Sequence, residues 1–349
     1  MAKKNVPPIL VWRCTRACNY DCSYCSFAST PTAAADELDT KGGLHVVDEI
    51  YDFGAEWFGL SGGEPLMRKD IFKIIRHAKD VGLKVSLITN GSLVNGENYN
   101  NLVRMDVRTS ISVDGLESSN DLVRGRGKYK IALSAMQKLS EAGLLDCLVT
   151  TITNLNYKEM DHIVNLGQEY GAKWAVFHNM VPVGNAKEHL QLAPSPDQYE
   201  WGLNHLYDLF QKNRDRIDIK VYCPFYARIL KQKGMWNFGD WYQNESLGKC
   251  TMGGEYVSII ENGDVKPCGF NEHLKLGNLK EKSLKEIWDE LQQSEYYARF
   301  RDRNNLKGKC GVCEYREICG GCRTRAEVYT GDLFESDPAC AYVPKCLRT

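Results

Sequence analysis

Three observations predict an α/β chain, a partial, TIM-like (β/α)6 barrel followed by a small cysteine-rich α+β domain. Short β-branched or apolar runs alternate with amphipathic stretches from residue 9 to about 180; glycines close the helical stretches; and the last hundred residues are rich in cysteine with little apolar periodicity. The strands read in order as "ILVWRC", "EWFGLS", "KVSLIT", "VRTSISV", "DCLVTTIT" and "WAVFH". Between them lie helical stretches, "LHVVDEIYDFG", "DIFKIIRHAKDVG", "ENYNNLVRM", "YKIALSAMQKLSEAG" and "YKEMDHIVNLGQEYG". Gly54, Gly82, Gly143 and Gly171 stand where a helix ends in a left-handed residue before the next strand. A βα repeat implies a parallel sheet, and six units suit an incomplete barrel better than an open doubly wound sheet, although periodicity leaves both open. In either arrangement the functional side is the C-terminal ends of the strands.

After the repeat, residues 186–245 read as an aromatic-rich helical connector, whose Trp and Tyr residues are expected to pack on the first domain. "EYVSIIENGDVKPCGF" then reads as a hairpin turning at Asn262-Gly263, and "SLKEIWDELQQ" as an amphipathic helix. The cysteine-rich remainder is expected to be organised by metal rather than by a core. The predicted division is thus 1–185 barrel, 186–245 connector and 246–349 cysteine-rich domain.

Composition narrows the function. Of 349 residues, 43% are hydrophobic and 26% charged, as in a folded soluble protein, and the formal net charge of -1 gives no electrostatic case for nucleic acid or an acidic membrane. The opening "MAKKNVPPILVW" has too short an apolar run for a signal peptide or a membrane span, so a cytoplasmic protein is expected. Fourteen cysteines in a reducing compartment point to metal ligands, catalytic groups or buried apolar residues, not disulfides. Cys147 stands alone among apolar neighbours and is expected to be packing. The others gather at residues 14–25 and from 223 onward.

The first cluster, "CTRACNYDCSYC" at residues 14–25, contains a C-x3-C-x2-C run at Cys18, Cys22 and Cys25. Three thiolates on one loop can hold three irons of a [4Fe-4S] cluster and leave the fourth open. Spacing alone equally allows tetrahedral zinc, with Cys14 as fourth ligand. The next strand ends carry "LSGGEPL" at 60–66, "TNGSL" at 89–93 and "SISVDG" at 110–115. Each alone reads as a turn, but together they line one barrel mouth. There Gly62 and Gly63 allow close backbone approach, Glu64 can accept from an ammonium, and Ser112 and Asp114 share a face.

"CNYDCSYC" after a first strand, "GGEP" after the second, "TNG" after the third and "SISVDG" on the fourth resemble the radical S-adenosylmethionine (radical SAM) superfamily over residues 9 to about 185. Tyr24 stands at the aromatic position of that family's cysteine motif. The resemblance implies that Cys18, Cys22 and Cys25 hold a [4Fe-4S] cluster whose open iron binds S-adenosylmethionine. It also implies that Gly62, Gly63, Glu64 and Pro65 take the methionine amine, with Asn90, Ser112, Asp114 and Arg124 as further cofactor-binding residues. Cys14 then lies outside the triad, as a buried residue of strand one.

The tail resembles a SPASM domain, the auxiliary-cluster module of the same superfamily, through Cys250, Cys268, the C-x2-C-x5-C-x2-C run Cys310, Cys313, Cys319, Cys322, and Cys340. The module's usual last spacing is three residues, whereas "CGGC" gives two, which puts the sharing of ligands in doubt. The resemblance implies one auxiliary [4Fe-4S] cluster on Cys310, Cys313, Cys319 and Cys340 and a second on Cys250, Cys268 and Cys322, one ligand short, which Cys223 or Cys346 would complete or which stays open to substrate. It further implies an electron donor of the flavodoxin or ferredoxin type, and reductive cleavage of S-adenosylmethionine to a 5'-deoxyadenosyl radical that takes hydrogen from a substrate. The stretch "LKGKCGVCEYREICGGCRTRAEVYTGDLFESDPACAYVP", with "VWRCTRACN", resembles the anaerobic haem-synthesis branch, which removes carboxylate-bearing groups from iron tetrapyrroles. Maturases of peptides and sulfatases share the module and stand as the alternative, beside other small-molecule radical chemistry; an iron-sulfur electron carrier would leave "GGEP" and "SISVDG" without a purpose. For a tetrapyrrole, Arg13, Arg16, Arg124 and Arg126 are the cations expected to meet carboxylates.

Overall fold

A computed structural model describes residues 9–235, 250, 252 and 256–348. The start of the chain, where neither signal nor membrane span is expected, and the 236–245 end of the expected connector lie outside the described residues.

The six expected strands form where the β-branched runs lie: β1 (Ile9–Arg13), β2 (Trp57–Ser61), β3 (Lys84–Thr89), β4 (Arg108–Ser112), β5 (Leu145–Ile152) and β6 (Trp174–Asn179). They pair in parallel in chain order, as βα crossovers require. Between them run α1 (Thr40–Asp52), α2 (Ile71–Asp80), α3 (Gly96–Arg104), α4 (Glu117–Arg124), α5 (Lys128–Glu141) and α6 (Met160–Glu169). Asp39 caps α1 by accepting from the Gly42 amide at 2.8 Å, and the four expected stop glycines all take positive φ.

Strand alternation divides the barrel wall into two faces. Val85, Leu87, Ile111, Leu148, Ala175 and Phe177 are fully buried against the apolar stripes of the helices, Val46, Val47 and Ile50 of α1 and Ile71, Ile74 and Ile75 of α2 among them. The alternate residues, Ser86, Ile88, Ser112, Val149, Thr151 and His178, are only partly buried and line the barrel interior.

The connector differs from expectation. Helix α7 (Pro196–Asn213) is there, with a Ser195–Gln198 capping box and Pro196 in its first turn, and so is α8 (Phe225–Gln232). Between them "DIKVY" forms β7 (Asp218–Tyr222), which pairs in parallel with β6, so the βα alternation continues for one more unit. This short strand has the period-2 burial of a sheet, with Ile219 and Val221 buried, but the surrounding aromatic helices obscured it. Tyr199 packs as expected, meeting Phe225 edge to face within the core, whereas Trp201 is exposed and stacks on His205.

The expected hairpin forms as β8 (Tyr256–Ile259) and β9 (Asp264–Lys266), and β10 (Gly277–Asn278) adds to it. Strand β8 pairs in parallel with β1 on the side away from β2, so the described strands make one sheet in the order β10-β9-β8-β1-β2-β3-β4-β5-β6-β7. The C-terminal segment therefore begins as a continuation of the barrel wall beyond β1. Among the described residues no helix is long and apolar enough to cross a membrane.

Candidate functional site

The cysteine loop follows β1 and is fixed from three directions. The Cys18 amide donates to the Thr30 carbonyl at 2.7 Å, and the Ser23 amide to the Val123 carbonyl at 2.9 Å. From the loop after β6, the Asn185 amide donates to the Cys25 carbonyl at 2.8 Å and its side chain to the Cys22 carbonyl at 3.3 Å. From β2, the amides of Gly63 and Glu64 donate to the carbonyls of Thr15 and Ala17. The glycine pair also admits the cysteine loop. A Cβ at Gly63 would lie 2.2 Å from the Ala17 carbonyl oxygen, and one at Gly62, whose φ is +145°, would lie 2.5 Å from that of Thr15.

Glu64 is completely buried and its carboxylate already has three donors: the Leu66 amide, the Thr89 hydroxyl at 2.8 Å and the Asn90 amide at 2.8 Å. Burial outweighs those bonds and raises its pKa. Glu64 therefore ties the β2 end to the "TNG" turn. Asn90 in turn donates to the Asn19 side chain at 3.0 Å and points the same amide toward the Cys18 sulfur, 3.9 Å away. Pro65 is buried beside it.

Tyr24, Asp114 and Arg124 come together as a buried trio. The Tyr24 hydroxyl and Arg124 Nε both donate to Asp114 Oδ2, at 2.5 and 2.6 Å, and the Thr151 amide donates to Oδ1 at 2.8 Å. Burial alone would lower the Arg124 pKa, but Asp114, Tyr24 and Cys22 raise it above the ordinary guanidinium value. Asp114 thus fixes the aromatic of the cysteine motif and one arginine against the end of β4, while Ser112 stays partly exposed on the interior face. Among the described residues the terminal nitrogens of Arg124 have no protein partner and remain able to meet an anion.

The three thiols suit a cluster. Burial pushes the Cys22 thiol up to about 12, Cys18 and Cys25 adding to that effect, and burial likewise raises Cys18, with Cys25 contributing. For Cys18 and Cys22 a positive charge would offset that burial, and cluster iron supplies one as the protons leave. Cys14 is apart from them, fully buried in the core, and its carbonyl accepts from Arg68 at 2.8 Å. Cys147 is only half-buried, on the interior face of β5, where burial raises its thiol to about 12.

The second cysteine group separates into two sets. Cys310, Cys313, Cys319 and Cys340 line one pocket together with Arg228, Lys309 and the glycines 320 and 321. The spacing of "CGGC" is short because both glycines take left-handed φ, +68° and +67°, which turns Cys322 out of that pocket. Cys322 instead lies in the field of Cys250 and Cys268, and burial pushes its thiol up to about 12. Cys268 accepts from the Thr324 hydroxyl at 3.7 Å. Of the residues expected to complete this trio, Cys223 is buried in the field of Arg325 and Asp337, which also act on Cys322, and Cys346 is exposed at the Val312 carbonyl. Among the described residues no three His, Cys, Asp or Glu side chains gather about the space of a single metal ion.

The loop after β6 is the residue set that sequence reasoning missed. Gly184 and Asn185 rest on the Cys22–Cys25 stretch, and Val181 and Val183 pack on Cys322, so one loop touches both cysteine groups. The signal was "VPVGNA", a proline-glycine turn directly after a barrel strand. Of the four arginines expected to meet carboxylates, two already pair with protein carboxylates: Arg16 with Glu261 at 2.6 Å, in the turn after β8, and Arg124 through Nε alone with Asp114, just after β4. Arg126 is exposed. Arg13, at the end of β1, lies over the Phe27 ring at 3.9 Å, donates from Nη1 to the Gly269 carbonyl at 3.3 Å and keeps a buried Nε without a partner.

Comparison with known proteins accords with this arrangement. Residues 12–168 match the Radical SAM superfamily, and residues 250–323 match the SPASM iron-sulfur cluster-binding domain. The chain is 35% identical to the AdoMet-dependent heme synthase of Methanosarcina barkeri over 99% of both chains. It is 28% identical to the Fe-coproporphyrin III synthase of the same organism, over 97% of this chain and 88% of that one. Among solved structures, SuiB of Streptococcus suis bound to its precursor peptide SuiA superposes with a TM-score of 0.75 at 18% identity, covering 97% of this chain and 76% of that one, which speaks for the fold alone. The chain belongs to the radical SAM superfamily: it is an enzyme that binds S-adenosylmethionine on a [4Fe-4S] cluster and carries auxiliary iron-sulfur sites in a C-terminal SPASM domain.

Proposed function

We propose that this enzyme removes carboxylate-bearing side-chain groups from an iron tetrapyrrole in haem synthesis. The observation that carries the reading is the similarity, along essentially the whole of both chains, to a protein named AdoMet-dependent heme synthase. The site supports it in one particular: Arg13, in the field of Glu261 first and then of Tyr256 and Cys25, keeps a buried Nε without a protein partner for a substrate carboxylate to meet.

In this reading Cys18, Cys22 and Cys25 hold the S-adenosylmethionine cluster. Cys310, Cys313, Cys319 and Cys340 hold one auxiliary cluster, and Cys250, Cys268 and Cys322 hold a second with one iron left open. When bound, these groups supply a 5'-deoxyadenosyl radical for hydrogen abstraction and an acceptor for the electron that a side chain losing carbon dioxide must shed. The chain's own part is placement. Gly62 and Gly63 admit the cysteine loop, Glu64 and Asn90 fix its first turn, Asp114 and Tyr24 hold its last, and Arg124 and Ser112 face the bound methionine or ribose. The interior face of the barrel surrounds the substrate and keeps water from the reacting carbon.

The division into 1–185, 186–245 and 246–349, a cytoplasmic site of action and a flavodoxin- or ferredoxin-type electron donor belong to the same proposal. Anaerobically reconstituted enzyme given S-adenosylmethionine, dithionite and a panel of iron porphyrins and peptides tests it by mass spectrometry. The expected result is a mass loss of carbon dioxide or acetate units from a porphyrin. Turnover of a peptide with no change in any porphyrin overturns it in favour of a maturase.

A further inference from the structure

We propose that His178 is the axial ligand this chain offers to the iron of its tetrapyrrole substrate, an inference that rests on the tetrapyrrole reading above. The position follows from strand alternation. Ala175, Phe177 and Asn179 of β6 are buried toward the helices, so Val176 and His178 face the barrel interior, at the C-terminal end where the mouth lies. In register, His178 lies beside Thr151 of β5 and Tyr222 of β7. Thr151 is the residue whose amide donates to Asp114, so His178 stands level with the Tyr24–Asp114–Arg124 trio and two strand spacings away, roughly 10 Å. A macrocycle centred on His178 would have its edge directed at the cysteine loop.

The side chain is prepared for a ligand in three ways. Its ring is held flat against Tyr222, with centroids 4.8 Å apart and planes 10° from parallel, which fixes the direction of the imidazole without using either nitrogen. Among the described residues neither of its nitrogens has a hydrogen-bond partner. Of the other six histidines, His45, His77, His162, His189 and His205 all have one, and His273 is exposed to water. Its ring nitrogens are thus left for a partner from outside the chain, water or ligand, on the interior face of the barrel. Burial also pushes the imidazole down to about 4, so the ring keeps a neutral, lone-pair-bearing nitrogen, the form that binds haem iron. Coordination needs no redox step: the nitrogen lone pair forms the bond and a water on the ferric iron leaves.

The test compares ferric iron-coproporphyrin with the metal-free porphyrin on the full anaerobic enzyme, followed by absorbance titration and electron paramagnetic resonance. Wild type should give an imidazole-ligated ferric spectrum. In His178→Ala that signature should be lost, affinity for the iron form should fall about 10- to 100-fold, and added imidazole should restore the spectrum, while metal-free porphyrin binds nearly as before. A wild-type spectrum without nitrogen ligation overturns the inference with no variant needed, as does an unchanged spectrum in His178→Ala. Failure of wild type to bind either porphyrin overturns the tetrapyrrole reading and this inference with it, whereas binding of both porphyrins with no imidazole signature removes this inference alone.

Discussion

The Asp114–Arg124 pair gives the sharpest energetic prediction, because one carboxylate oxygen serves both the arginine and the tyrosine of the cysteine motif. Asp114 is fully buried and the Arg124 side chain 9% exposed, with 2.6 Å between Nε and Oδ2. At an effective dielectric of about 20 the gross attraction is about 6 kcal/mol, offset by the desolvation of both ions. Removing one partner leaves the other buried and uncompensated, which costs about 3–5 kcal/mol. Asp114→Asn keeps the shape, loses the charge and weakens the bond from Tyr24, so it should lower stability by that amount and slow formation of 5'-deoxyadenosine at subsaturating S-adenosylmethionine. Arg124→Gln should cost a similar amount, and the double variant much less than the sum of the two, because no uncompensated ion then remains. Urea denaturation of the anaerobic protein gives the stabilities and liquid chromatography the cleavage rates. Additive losses in the double variant, or an Asp114→Asn protein with unchanged midpoint and cleavage, would refute the reasoning.

Cys18→Ala, Cys22→Ala and Cys25→Ala should each abolish cleavage of S-adenosylmethionine, whereas Cys14→Ala should retain it, since Cys14 lies in the core; loss of iron and of cleavage in Cys14→Ala would show that the ligand frame is wrong. Replacing Cys18, Cys22 and Cys25 together should leave about eight irons per chain in the two auxiliary sets, measured by iron analysis, and a value near four would mean that the seven cysteines of those sets form a single cluster. Gly63→Ala should displace the cysteine loop, since the new Cβ would meet the Ala17 carbonyl at 2.2 Å. The expected result is loss of the first cluster by iron analysis with the auxiliary irons retained; a full iron count would show that the loop yields without cost.

Much of the barrel is legible in the sequence because its helices end in glycine and its strands are short β-branched or apolar runs between them. The cysteine motif is legible for a different reason: three thiols within eight residues have few other uses in such a fold. What periodicity does not carry is the seventh strand. "DIKVY" is five residues long and polar at alternate positions, so beside two aromatic helices it has too little signal. Nor does residue type reveal how a side chain is used. Gly62, Gly63 and Glu64 are read from sequence as ligand contacts, and their further roles, admitting the loop backbone beside the glycines and tying the carboxylate to Thr89 and Asn90, come from tertiary packing. Arg16 and Arg124 look open in the sequence because their carboxylate partners are 245 and 10 residues away. The coupling of the two cysteine groups through Val181–Asn185 is a matter of tertiary packing, with only a proline and a glycine to mark it.

Hydrogen transfer is the most direct test of the central claim, that the radical generated at this barrel mouth acts on a carboxylate-bearing side chain of an iron tetrapyrrole. Iron coproporphyrin deuterated along its propionate side chains is incubated anaerobically with the reconstituted enzyme, S-adenosylmethionine and dithionite, and the 5'-deoxyadenosine and porphyrin are weighed by mass spectrometry. The account predicts deuterium in 5'-deoxyadenosine together with a porphyrin lighter by carbon dioxide and the transferred deuterium. Cleavage of S-adenosylmethionine that leaves 5'-deoxyadenosine unlabelled and the porphyrin intact would contradict it.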